Sequence, residues 1–168
     1  IKNFEFFSGI PGTVGGAVKM NSGCFGFETK DILKEIKFID IKGNKNQINA
    51  DKLDLKYRSS NLKDTDIVTS AKFRITYGEI QLIIDKINLI KQEREKKQPL
   101  KERTSGSTFK NPPNYFAAEL IDKAGCRGLE IGDAVVSLKH ANFLINKGRA
   151  TAEQIERLGK KITDKVFN

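Results

Sequence analysis

Between Ile67 and Ile75 the chain alternates, with Ile67, Thr69, Ala71, Phe73 and Ile75 on one side of "DIVTSAKFRI". A two-residue period of this kind predicts a half-buried strand. Upstream, Ile36 and Phe38 alternate with polar neighbours, "KGNK" follows, and Gln47 to Ala50 resume the pattern. That arrangement predicts a β-hairpin with Gly43 and Asn44 at its turn. From Glu79 the period changes. Ile80, Ile83, Ile84, Ile87 and Ile90 fall on one helical face, after which the helix becomes fully charged and Pro99 stops it. "LKERTSGS" is polar and reads as a linker or mobile loop.

A second unit begins near that point. Phe116, Leu120, Ile121 and Ala124 have helical spacing, and Gly125 is placed to cap the C-terminus. "AVVSL" and "NFLIN" are short β-rich runs. Thr151 and Gln154 form a capping box ahead of Ile155, Leu158, Ile162 and Val166. The chain therefore reads as α+β in two lobes, residues 1–98 and 99–168, with its seam near Pro99 to Gly106.

Composition narrows the function classes. Of 168 residues, 38% are apolar and 30% charged, and no apolar run reaches the ~18 residues of a membrane span. The opening "IKNFEFF" shows no signal-peptide features. Cys24 and Cys126 lie in no metal-like or C-x-x-C spacing, and His140 is the single histidine, so no metal site is expected. Two such cysteines suit a reducing compartment. The net charge of +9 invites a nucleic-acid reading, yet the lysines are scattered among Glu, Asp, Ile and Asn. The densest basic stretch, Lys91 to Arg103, is interrupted by three glutamates. Attraction of a small anionic ligand is a further use that charge allows.

Four stretches carry candidate chemistry. "FFSGIPGTVGGAVKMNSGCFG" packs six glycines between Phe6 and Gly26. The spacing of Gly9, Gly12, Gly15 and Gly16 is neither a dinucleotide-binding fingerprint nor a Walker loop. It serves either a structural turn or backbone amides that approach a diphosphate or a flat ring. In "YRSS", Tyr57 to Ser60, an arginine beside small hydroxyls is either an ordinary surface residue or a clamp on a carboxylate. In "TSGSTFKNPP", Thr104 to Pro113, the serines serve a turn and cap, or supply a proton or a phosphate contact. Arg94 and Lys97 stand one turn apart where cations complement a helix C-terminus. His140 lacks an orienting carboxylate in the sequence and reads as structural rather than as a base.

Taken in order, "SGIPGTVGGAVKMNSGCFG", "YRSS", "GSTFKNP", "VSLKHANFLIN" and "ATAEQIERL" resemble the UDP-N-acetylenolpyruvoylglucosamine reductase (MurB) family of bacterial peptidoglycan synthesis along nearly the whole chain. The resemblance implies a vanillyl-alcohol-oxidase-type flavoprotein. FAD would lie along the first lobe, on Gly9, Ile10, Pro11, Gly12, Thr13, Gly15, Gly16 and Ala17. NADPH would be the co-substrate and a UDP-sugar the substrate, bound through Tyr57, Arg94, Lys97 and Asn111. Hydride addition to an enolpyruvyl double bond builds negative charge beside a carboxylate. Arg58 matches the family residue that stabilises this enolate, and Ser107 the residue that donates the proton. Lys97 is a candidate for easing ionisation of that hydroxyl.

The resemblance also implies a cytoplasmic enzyme of cell-wall biogenesis, tied to cell shape, division and the cell cycle. No nucleic acid, membrane insertion or obligate protein partner is expected. The family's first FAD-binding subdomain and its closing strand, whose glutamate assists the enolate, have no counterpart here, so an incomplete form is expected; no glutamate is assigned that role. The alternatives are a catalytically dead nucleotide-sugar-binding fragment and a basic nucleic-acid-binding domain.

Overall fold

The computed structural model describes residues 1–168, which form two compact units, Ile1–Gln92 and Glu93–Asn168. The first unit opens with a 3-10 turn over Glu5–Phe7 and the glycine-rich loop, then α1 (Val14–Lys19). Thr13 caps α1 by accepting the Gly16 amide at 3.0 Å. A small hairpin, β1 (Gly23–Cys24) and β2 (Phe27–Glu28), leads through α2 (Thr29–Ile32) into a three-stranded antiparallel sheet. Its order is β4 (Lys45–Asn49), β3 (Leu33–Ile39), β5 (Ile67–Phe73). Val18, Leu33, Ile36, Leu53, Leu55 and Leu62 make its core.

The hairpin forms where the sequence places it. Gly43 has φ +81°, and the Asp40 side chain accepts the amides of Lys42 and Asn44, both at 2.9 Å. β5 departs from simple alternation. Its pairing with β3 jumps from Lys37↔Ser70 to Phe38↔Val68, leaving Thr69 as an extra residue. This bulge puts Val68 on the core face with Ala71 and Phe73, while Ile67 and Thr69 are exposed.

α3 (Ile80–Lys97) ends one residue before Gln98-Pro99, as the proline requires. Of its isoleucine stripe only Ile90 is fully buried; Ile83 and Ile87 are half-buried, and Ile80 and Ile84 are exposed. Residues to Gln92 belong to the first unit and the rest to the second.

The second unit is a four-stranded antiparallel sheet in the order β6 (Thr104–Ser107), β9 (Phe143–Asn146), β8 (Ala134–Val136), β7 (Glu130–Ile131). α4 (Ala117–Lys123) and α5 (Ala152–Phe167) pack against it around Ala117, Ile121, Val136, Leu144, Leu158 and Ile162. The stretch "TSGS", which reads as linker from its polarity, is a strand: β6 joins the sheet edge through β9, with a register shift between Thr104 and Ser107. Gly125 ends α4 with φ +64°, and Cys126 N reaches back to Ile121 O. Phe116 caps rather than fills the core and is exposed. The capping box of α5 is present in both directions, Gln154 N to Thr151 Oγ1 and Thr151 N to Gln154 Oε1.

Along α5, Leu158 is fully buried while Ile155 is 37% exposed. Leu158→Ala is expected to lower stability by about 2–5 kcal/mol, against well under half of that for Ile155→Ala, in chemical denaturation of the two variants. Equal losses would place Ile155 in the core.

Candidate functional site

In the first unit the loop from Gly9 to Thr13 frames a cavity of about 450 Å³. Gly9 (φ +80°) and Gly12 (φ +127°) occupy backbone regions that L side chains rarely adopt. A Cβ on Gly12 would meet nothing within 4 Å, whereas one on Gly15 would stand 3.4 Å from Val68. The glycines thus divide: Gly15 lets α1 lie close to β5, and Gly12 leaves the cavity rim open. The amides of Gly12, Thr13, Val14 and Gly15 find no acceptor in the protein. Four successive unpaired N–H groups at a helix start make an anion-binding concavity.

Of the predicted cofactor residues, Ile10, Pro11, Gly12, Thr13, Gly16 and Ala17 line this cavity, and Gly9 and Gly15 do not. The sequence reading missed Phe4, Phe7 and Phe73, which form the aromatic wall. Phe4 meets Phe73 edge-on at 5.6 Å, and Phe6 and Phe7 lie 4.2 Å apart. The signal was the run "FEFF" just before the glycines. Unpaired amides beside an aromatic wall suit a ligand with a diphosphate and a flat ring, so the residues present fit FAD.

The arginine lies on a tight turn. Lys56 and Ser59 exchange N–H···O bonds of 3.1 Å in both directions, leaving Tyr57 and Arg58 at the tip. Arg58 has φ +47°, a left-handed conformation costing a non-glycine residue about 1–2 kcal/mol. Its Nη1 is buried and has no hydrogen-bond partner. Tyr57 is half-exposed beside it.

In the second unit Ser107 stands exposed at the end of β6, after Gly106 with φ +91°. Asn111 Oδ1 accepts the amide of Ala117 at 3.0 Å and so pins the chain to the start of α4. Lys97 pairs with Glu93 at 3.0 Å, and hydrogen bonds from Lys97 and Lys96 hold the Glu93 carboxyl below its usual range. Arg94 Nε is buried without a partner. A separate cleft of about 670 Å³ is lined by Gln98, Leu100, Val135, Ser137, Lys139 and Ile145 among others; Arg94, Lys97, Ser107 and Asn111 do not line it.

His140 packs 4.7 Å from the Phe143 ring, and its Nδ1 accepts the Asn142 amide at 3.2 Å. Burial, and then the charge of Arg127, push its pKa below the ordinary histidine value. Cys126 is buried and its thiol pushed up by that burial. No group of His, Cys, Asp and Glu is arranged to hold a metal ion, and no helix is long and apolar enough to cross a membrane.

These features define a two-unit α+β protein with an aromatic-walled cavity beside unpaired loop amides and an arginine whose buried nitrogen has no partner. Residues 98–168 match the family described as UDP-N-acetylenolpyruvoylglucosamine reductase, C-terminal domain. The chain is 47% identical over 167 residues to the UDP-N-acetylenolpyruvoylglucosamine reductase of Rickettsia bellii, covering 99% of this chain and 55% of that protein. With the enzyme of that name from Rhodopseudomonas palustris it shares 49% over 162 residues, 96% of this chain and 52% of the relative. Among solved structures, UDP-N-acetylenolpyruvylglucosamine reductase (MurB) from Thermus caldophilus superposes with a TM-score of 0.89 at 35% identity, covering 96% of this chain and 59% of that one. Residues 98–168 thus match the C-terminal domain of this family, and the chain along nearly its whole length is similar to reductases of that name. It spans about half the length of the curated relatives it matches.

Because His140 is the chain's one histidine, its titration can be read alone. Its depressed pKa means the unfolded chain binds the extra proton first, so stability falls as pH drops below about 6.5. Proton NMR of the imidazole should show a midpoint below that value, and His140→Gln should flatten the acid limb of a stability–pH curve. A midpoint at or above the ordinary value would mean the ring is not desolvated.

Proposed function

We propose that this chain carries the FAD cradle and the substrate lobe of an NADPH-using reductase that converts UDP-N-acetylglucosamine enolpyruvate to UDP-N-acetylmuramate in cytoplasmic peptidoglycan precursor synthesis. Residues 1–98 form the cofactor lobe and 99–168 the substrate lobe. The observation that carries the reading is Arg58: a guanidinium nitrogen buried without an acceptor, on a turn whose backbone is strained to present it. A buried donor-only cation calls for an anion, and the carboxylate carried by the enolpyruvoyl group in the relatives' name would supply one.

The amides of Gly12 to Gly15 would hold the FAD diphosphate, and Phe4, Phe7 and Phe73 would flank its apolar parts. When bound, FAD supplies the hydride acquired from NADPH. Arg58 binds the substrate carboxylate and stabilises the negative charge that develops beside it. Ser107, exposed at the strand end, gives its hydroxyl proton to the neighbouring carbon. Tyr57, Arg94, Lys97 and Asn111 bind the nucleotide sugar. Asn111 is held in place for this by the bond its oxygen accepts from Ala117 N.

Flavin absorbance and fluorescence during FAD titration of the chain test the cradle. Saturable binding is expected, and Gly12→Val should weaken it at least tenfold by placing a branched side chain at φ +127° on the open rim. Equal affinity in that variant would remove the loop from the cradle. In the flavin-loaded protein, Arg58→Ala and Ser107→Ala should leave bleaching by NADPH intact and slow reoxidation by the enolpyruvyl substrate on the order of 100-fold or more. Unchanged reoxidation would strip either residue of its role.

A further inference from the structure

Five buried side-chain atoms lack a hydrogen-bond partner: Glu5 Oε2, Arg58 Nη1, Ser60 Oγ, Arg94 Nε and Thr108 Oγ1. Glu5 has a cation opposite it, Lys86 at 3.9 Å. Arg58 and Ser60 have nothing, although they are two residues apart on the same turn. Their needs are complementary, since a hydroxyl oxygen accepts what a guanidinium donates. They nevertheless do not bond each other.

The backbone around Ser60 is unusually well fixed for a loop. Ser59, on one side, is locked to Lys56 by the reciprocal 3.1 Å bonds. Asn61, on the other, donates to Lys52 O at 3.2 Å and accepts Asp54 N at 3.1 Å. Leu55 and Leu62 bury the two feet of the turn in the core. Asn21 donates to Lys56 O and Lys19 Nζ to Leu62 O, so both feet are also tied to the glycine-rich helix. A hydroxyl with this freedom to bond and no partner is not a leftover of a floppy segment. Burying it unpaired is unfavourable, and alanine at this position would avoid that penalty.

We propose that Ser60 is a substrate-binding residue that shares the anion of Arg58, its hydroxyl donating to one carboxylate oxygen while Nη1 donates to the other. A carboxylate offers two oxygens and several lone pairs, enough for both donors at once. A neutral carbonyl oxygen could accept from both but brings no charge to match the guanidinium. The inference rests on the proposed reading of Arg58 as the carboxylate clamp.

Calorimetric titration of the chain with UDP-N-acetylenolpyruvoylglucosamine and with UDP-N-acetylglucosamine, which lacks the carboxylate, separates the two ideas. The wild-type chain should prefer the carboxylate ligand, and Arg58→Lys should lose that preference. Ser60→Ala should weaken the carboxylate ligand roughly tenfold and leave the other unchanged, the size of a lost hydrogen bond to a charged group. Ser59→Ala should change neither. If wild type binds the two ligands equally, or neither, the clamp fails and Ser60 with it. If Arg58→Lys loses the preference but Ser60→Ala keeps it, the clamp stands and Ser60 alone is overturned. Melting temperature gives a second readout. Ser60→Ala should melt at or slightly above the wild-type temperature, because it removes an unpaired buried hydroxyl. A fall of about 5 °C or more, roughly 1 kcal/mol for a domain this small by the usual scaling, would mark Ser60 as structural and overturn the proposal.

Discussion

Asn21 follows α1 in a left-handed conformation, φ 43°, and is 3% exposed. Its carboxamide accepts Lys30 N at 2.9 Å and donates to Glu28 Oε2 at 3.2 Å and to Lys56 O at 3.4 Å. One side chain therefore joins the end of the glycine-rich helix, the start of α2 and the foot of the arginine turn. Asparagine is among the few residues that reach this backbone region cheaply and still have both a donor and an acceptor to offer. Lys19, two residues back at the end of α1, makes the second tie by bonding Leu62 O. The cradle amides and the Arg58 turn are thus positioned by the same six-residue helix. Shifting α1 would move both.

This arrangement lets the first unit hold unfavourable features in place. Arg58 in the left-handed region and its buried, unpartnered nitrogen together cost about 2–5 kcal/mol. A domain's net stability is about 5–15 kcal/mol, so the penalty is a large fraction of it. Leu53, Leu55 and Leu62 offset it locally, each fully buried leucine contributing about 1.5–3 kcal/mol. These three side chains lie in the segments that enter and leave the turn. The hydrophobic effect thus acts where the strain sits and holds the guanidinium in place.

What could be read from the sequence followed from how local each signal was. The capping box at Thr151 and Gln154, the stop before Pro99 and the turn at Gly43 depend on residues within a few positions, and all three are present. β6 escaped because "TSGS" has no apolar alternation; its strand character comes entirely from pairing with β9 far along the chain. Thr69 shows the same limit, since a bulge is fixed by the partner strand and not by the bulged one. At the candidate site, the glycines pointed to the loop that frames the cavity, but the aromatic wall required Phe73 to return beside Phe4 and Phe7 through the sheet. The left-handed turn at Arg58 carries no glycine, so composition gave no hint of it. The motif "YRSS" offers Arg58 as a candidate, but its strained backbone and its buried nitrogen without a partner are visible only in the fold.

The excess positive charge is best understood at Lys97. Its partner Glu93 is kept ionised by two lysines, so the pair persists across the physiological range. Yet Lys97 remains largely exposed, one helical turn from its partner, and an exposed pair of this kind is weakly held. Glu93 therefore orients the ammonium without sequestering it. Under the proposed role, a diphosphate bringing more negative charge than one carboxylate displaces Glu93 and takes the cation. Arg94, one residue behind Glu93, behaves differently because its Nε is buried and already lacks an acceptor. The helix end thus offers an anion one cation held loosely and another without a competitor, a combination that a merely solvated basic surface would not produce.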